Sequence, residues 1–214
     1  KYGFIASTDT HIAAPGLTAE RNHPGHGGAG MGSGDGVPQG LPDELEYGPG
    51  GLAVLWAEEN TRDALFAAMQ RREAYGTSGT RPVVRFFGGW DYNEDACASP
   101  DMVEQGYAGG VPMGGDLAAL PEDQQTGPKF IVSAAQDPGS PNEPGTPLQR
   151  VQIIKGWYED GELNEQVLDV AGGANDASVD IATCEQSGTG HQSLCSVWED
   201  KNFNPAAQAF YYTR

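Results

Sequence analysis

The sequence predicts an α/β unit followed by a β-rich region, and three observations predict it. An apolar run over residues 2–6 leads straight into Ser7-Thr8-Asp9-Thr10-His11 and then into a glycine-rich stretch, which is how an α/β barrel presents a site at its carboxyl-end face. A single amphipathic helical pattern follows near residue 60. Beyond Arg81 the helical period gives way to alternating or wholly apolar runs separated by Gly and Pro, the pattern of short strands in a sandwich. The expected organisation is therefore the last strand-loop-helix unit of a TIM-type α/β barrel over residues 1–80, with a glycine-rich loop over 12–51, and a β-rich, sandwich-like domain or extension over 81–214.

The first element, residues 2–6, is apolar on both faces, as strands of a parallel sheet are. A lone strand of that kind needs partners, so it is expected to pair outside residues 1–80: with an amino-terminal half, with another copy, or with the β-rich region. The loop over 12–51 holds twelve glycines and almost no large apolar residue; it cannot bury a core of its own, which places it on the surface or over the site as a lid. Asn60 as N-cap with Asp63 three residues on, Glu58 and Arg62 one turn apart, and the stripe Leu65, Phe66 and Met69 predict a helix over 60–73. Thr77-Ser78-Gly79-Thr80 breaks it. Strands are predicted over 83–87, 129–134, 150–157, 166–170, 179–182 and 209–212. Residues 91–127 form an acidic stretch whose Asp91, Glu94 and Asp95 lack the regular Asp-x-Asp-x-Asp-Gly order of a calcium loop, so a solvated acidic loop is expected.

Charge narrows the function classes. With 12 basic against 30 acidic residues the formal charge is -18, which keeps the chain soluble and repels phosphate backbones and anionic lipid surfaces. Nucleic acid is excluded as a partner on that ground. No apolar run approaches the roughly 20 residues of a membrane helix, so no membrane span is expected. The acidic, turn-rich composition suits a periplasmic or secreted protein. Of the three cysteines, Cys184 and Cys195 are close enough to close a short loop, which a disulfide would stabilise by roughly 3 kcal/mol on the chain-entropy model. The alternatives are a zinc knot of Cys184, His191 and Cys195, one ligand short, or packed thiols; Cys97 is left free or paired with another chain.

The chemistry-bearing motif is Asp9-Thr10-His11. On an extended backbone, side chains two residues apart share a side, so a hard carboxylate oxygen and a borderline imidazole nitrogen converge on one cation. The bland reading is a turn-capping Asp9 and a packed or solvated His11. His23 and His26, three apart, are either further ligands or solvated imidazoles. Cations are scarce, which makes Arg62 and Arg81 candidates for holding a phosphate or carboxylate group of a substrate. The competing readings are an ion pair with Glu58 for Arg62 and a structural anchor for Arg81.

Residues 1–11, Arg71-Arg72-Glu73-Ala74-Tyr75-Gly76-Thr77-Ser78-Gly79-Thr80-Arg81, Val84-Arg85-Phe86-Phe87-Gly88-Gly89-Trp90 and Leu194-Cys195-Ser196-Val197-Trp198 resemble the bacterial family catalogued as domain of unknown function 3604. That family in turn resembles the polymerase-and-histidinol-phosphatase (PHP) metal-dependent phosphoesterases. The resemblance implies that Asp9 and His11 match, with Thr8 standing between Ser7 and Asp9, a late Ser-Asp-x-His motif that feeds a cluster of divalent metal ions, zinc or manganese. Such an enzyme also needs an early His-x-His motif and further histidines, whereas this chain has four histidines in all and opens on Lys1. The chain is therefore expected to be the carboxyl-terminal portion of a metal-dependent hydrolase acting on a small substrate, a phosphoester, with its site completed by an amino-terminal segment or another chain and with no activity alone. The alternative is a non-catalytic binding or scaffold part, or a structural component of a secreted assembly.

Overall fold

The computed structural model of the protein describes residues 2–7, 51–142, 144–183 and 185–214. Its elements run β1 (Ala53–Leu55), α1 (Arg62–Arg71), β2 (Ala74–Gly76), β3 (Val83–Gly89), α2 (Met102–Gly109), β4 (Gly110–Pro112), β5 (Lys129–Ala135), β6 (Arg150–Glu159), β7 (Glu162–Gly172), β8 (Ser178–Val179), β9 (Gln186–Ser187), β10 (Ser193–Glu199) and β11 (Gln208–Thr213), with a 3-10 turn at Ala96–Ala98. Two antiparallel sheets dominate: four strands in the order β10-β5-β3-β4, and three in the order β11-β6-β7. β1 with β2 and β8 with β9 make two small pairs.

The alternation of side chains along each strand sorts the residues into two cores. From the four-stranded sheet, Phe86, Phe130, Val132 and Ala134 meet Val151 and Ile153 of β6, with Leu194, Trp198 and Tyr211 packed around them. The opposite face, carrying Phe87 and Ile131, is covered by Tyr92 and Ala96 and by Met102 and Val103 of α2. Ile131 and Ile153 are fully buried, each contributing about 1.5–3 kcal/mol by leaving water. The protein is thus layered as helix, sheet and sheet. β6 and β7 are joined by Asp160-Gly161, both at positive φ, as a two-residue hairpin turn requires. A register shift after Val151 lets Val170 and Ala171 of β7 both reach the core.

Several expectations are corrected. No TIM-type α/β barrel is present among the described residues; the fold is β-rich, and where a barrel strand and helix were expected, α1 lies beside a two-stranded antiparallel pair. Residues 2–7 form no strand, and Tyr2, Phe4 and Ile5 are exposed. The predicted pairing of this segment with strands beyond residue 80 is therefore not found. Gly3 lies instead against the Arg72 side chain and Ala6 against Gly76. The helix is shorter than 60–73, because Thr61, not Asn60, caps it by accepting from Ala64 N at 3.3 Å, and because Arg72 turns left-handed at φ 63 to close it. Its stripe is not buried: Phe66 and Met69 are exposed and Ala68 is the buried position. The acidic stretch over 91–127 is not one loop, since it contains the 3-10 turn, α2 and β4. The run over 179–182 is strand only at Val179.

Cys195 is bonded to Cys97, across a separation of 98 residues and a Cα–Cα distance of 5.7 Å, not to Cys184. The reason is the sheet: the inward alternation that sends Leu194 and Trp198 to one core sends Cys195 and Val197 to the other face, where the 3-10 turn carries Cys97. Cys184 itself lies outside the described residues.

Candidate functional site

Asp9, His11, His23 and His26, the metal ligands expected from the sequence, lie outside the described residues. What the structure describes is the ground on which the segment leading to them rests. Residues 2–7 run beside the α1–β2 connection, where a Cβ on Gly76 would lie 2.6 Å from the Ala6 carbonyl oxygen. Glu73, set there by the left-handed turn at Arg72, is 2% exposed. Its carboxylate accepts from the Tyr107 hydroxyl, lies 3.4 Å from Arg71 Nε and stands 4.0 Å from an Arg85 terminal nitrogen.

Arg85 also donates to the Tyr107 hydroxyl at 3.2 Å and stacks 3.2 Å over the centre of the Trp56 ring, whose Nε1 donates to Val84 O at 3.0 Å. Burial pushes the Tyr107 hydroxyl pKa up, and the Glu73 carboxylate adds to the shift. Tyr75, bonded to Pro82 O and Val84 N, is likewise raised by burial. The cluster holds two guanidinium groups around one buried carboxylate. Its tyrosines are kept as neutral hydroxyl groups.

The two candidate arginines part company. Arg62 opens α1 on its exposed side. Arg81 is anchored: its backbone N–H and its Nε both donate to Asp137 Oδ2, at 3.1 and 3.0 Å. Burial alone would raise the Asp137 carboxyl, but the amides of Gly139 and Arg81 together with the Arg81 guanidinium outweigh it and hold the pKa below the usual carboxylate value. The terminal nitrogens of Arg81 have no partner among the described residues. His191, a member of the alternative zinc knot, exchanges backbone hydrogen bonds with Leu148, and its would-be partner Cys195 is taken by the disulfide. Among the described residues no group of three or more His, Cys, Asp or Glu side chains is placed to hold a metal ion.

Sequence reading missed a polar knot at one end of the inter-sheet core. Lys155 lies on the inward register of β6, two residues beyond Ile153, and its Nζ sits 2.6 Å from Asp200 Oδ2 and 3.0 Å from Asn202 O. Tyr211 donates to the same carboxylate oxygen at 2.6 Å, and burial followed by the Asp200 charge raises its pKa well above the ordinary tyrosine value. Beside the knot opens a cleft of ≈ 360 Å³ walled by Trp157, Gln166, Asn202, Phe203 and Asn204. The readable signal was a charged residue in an inward strand position, Lys155 in the alternation that begins at Val151.

A family model described as "Protein of unknown function (DUF3604)" matches residues 1–214. Neither a curated protein nor a solved structure matches the chain significantly.

Proposed function

Because the chain belongs to the DUF3604 family of proteins of unknown function, we propose that it is part of a metal-dependent hydrolase of the phosphoesterase kind, in which Asp9 and His11 supply ligands. The observation that carries this reading is the seat of the segment that ends two residues before Asp9. Ala6 rests on Gly76, at the head of the Thr77-Ser78-Gly79-Thr80 turn, and Arg81 follows that turn with its guanidinium fixed by Asp137.

The donor chemistry fits a divalent ion: a carboxylate oxygen and an imidazole nitrogen two apart suit zinc or manganese, and a cation so held supplies Lewis-acid polarisation of a scissile group. The chain's own residues do the rest. Asp137 holds the Arg81 Nε, leaving the outer edge of the fork to bind an anionic substrate oxygen. Thr77 Oγ1 accepts from Leu52 N at 2.9 Å and ties the turn to β1, which fixes the height at which that arginine stands.

Metal content tests the reading directly. The purified chain, loaded with zinc or manganese and dialysed, should retain metal that Asp9→Asn and His11→Ala each remove, measured by inductively coupled plasma mass spectrometry. In the full polypeptide, hydrolysis of p-nitrophenyl phosphate should be metal-dependent and lost in His11→Ala. Metal retention unchanged by both substitutions would set the reading aside.

A further inference from the structure

The face of the three-stranded sheet that turns away from the core is aromatic, exposed and interleaved with hydrogen-bonding groups. Tyr211 points inward to the core, so Phe210 and Tyr212 point outward from β11. The same register places Ile154 and Gly156 of β6 and Glu165 and Val167 of β7 on that outer face. Phe210 is 59% and Tyr212 45% exposed. Their rings are nearly parallel, 12° apart, with centroids separated by 6.3 Å, too far for a face-to-face stack. Phe210 reaches across onto Gly156, where a Cβ would lie 2.6 Å from its Cε1. The glycine therefore lets the ring lie along the sheet, and Ile154, the cross-strand neighbour of Tyr212, is buried to 1% on the same outer face.

We propose that this face is a binding platform for a neutral polysaccharide, with Phe210 and Tyr212 stacking on the apolar faces of sugar rings and Glu165 accepting hydrogen bonds from their hydroxyls. Exposed aromatic patches of this kind mark binding surfaces. Glu165 decides which kind. It sits cross-strand from Gly156, the residue that the Phe210 ring overlies, and has no hydrogen-bond or ion-pair partner among the described residues. A dry apolar protein surface laid on the patch would strand that carboxylate without water, whereas a glycan brings hydroxyl donors. Arg150 and Arg214, on the same sheet and just past its β11 strand, are engaged with Asp169 and Gln152. With a net charge of -18 the chain repels acidic glycans.

Affinity electrophoresis of the purified chain tests this, in native gels containing soluble β-glucan, xylan, galactomannan or amylopectin, with polygalacturonate as the anionic control. At least one neutral polymer should retard the protein. Tyr212→Ala should weaken that retardation roughly tenfold, Tyr212→Phe should keep it, and the surface change Glu165→Gln should weaken it without altering the melting temperature. No retardation by any neutral polymer overturns the proposal, as does stronger retardation by polygalacturonate or retardation indifferent to both Tyr212→Ala and Glu165→Gln. Self-association in sedimentation velocity that Tyr212→Ala abolishes, without any retardation by glycan, overturns it in favour of an interface between copies.

Discussion

Lys155 and Asp200 face each other across 2.6 Å with their side chains 6% and 4% exposed, and the Asp200 oxygen that takes the ammonium also takes the Tyr211 hydroxyl. Removing one partner leaves the other charge buried and unpaired, at a cost of about 3–5 kcal/mol. Lys155→Met and Asp200→Leu should each lower the unfolding free energy by that order. The double substitution should cost less than the sum of the two, because no orphan charge then remains. Urea denaturation of the four proteins measures the coupling, and strict additivity would contradict it.

The Arg81–Asp137 contact predicts an acid-sensitive term. Asp137 has its folded pKa depressed, so its contribution is fully present above the ordinary carboxylate pKa of about 3.9 and is lost as pH falls from there through the lowered value. Arg81→Gln should shrink that loss, and Asp137→Asn should remove it while lowering stability at pH 7. Urea midpoints collected between pH 6 and pH 2 show it as a difference in slope. Parallel curves for wild type and Asp137→Asn would rule the linkage out.

The disulfide closes a long loop. On the chain-entropy model a ring of this size is worth on the order of 5 kcal/mol, so Cys97→Ser should lower the melting temperature markedly and dithiothreitol should do the same to the wild type. Peptide mapping without reductant should recover Cys97 linked to Cys195. Recovery of Cys184 linked to Cys195 would refute the observed pairing.

Gly106, in the middle of α2, is the fourth test. Alanine there should gain helix propensity worth up to about 1 kcal/mol, yet its Cβ would fall 2.6 Å from the Phe87 ring, which is fully buried. Overpacking costs about 1–3 kcal/mol and should win, giving a net loss of stability on thermal melting. A stabilised Gly106→Ala protein would show that α2 can lift from the sheet without penalty.

β3, β5 and β6 were legible because their runs of Val, Ile and Phe leave few other ways to bury so much apolar surface. Others were not. α2 carries Gly106 and Gly109 within eight residues and sits in an acidic stretch, so its pattern looks like loop until Phe87 and Ile131 supply a surface to cover. β10 mixes Ser193, Cys195 and Ser196 with Leu194 and Trp198, and only its lodging between two cores makes it a strand. The cysteines misled for a related reason: nearness in sequence favours Cys184, but loop closure grows costly only slowly with length, and packing of the 3-10 turn on the sheet had already brought Cys97 to Cys195. Of the candidate site, the role of Arg81 was half legible, as one of two readings. Of the Lys155 knot, the inward position of the lysine was readable from the alternation that begins at Val151, but its partners Asp200 and Tyr211 could be seen only in the folded chain.

The crosslink also changes how the molecule bears tension. A force applied to the two ends of the chain passes from Cys97 to Cys195 through the sulfurs, bypassing roughly 330 Å of extensible backbone. β4, β5, β6 and β7 lie inside that ring and feel no pull along their own length. β1, β2, β3 and β11 lie outside it, and β11, held to β6 along Gln208–Thr213, is loaded directly by tension while the ring keeps its shape.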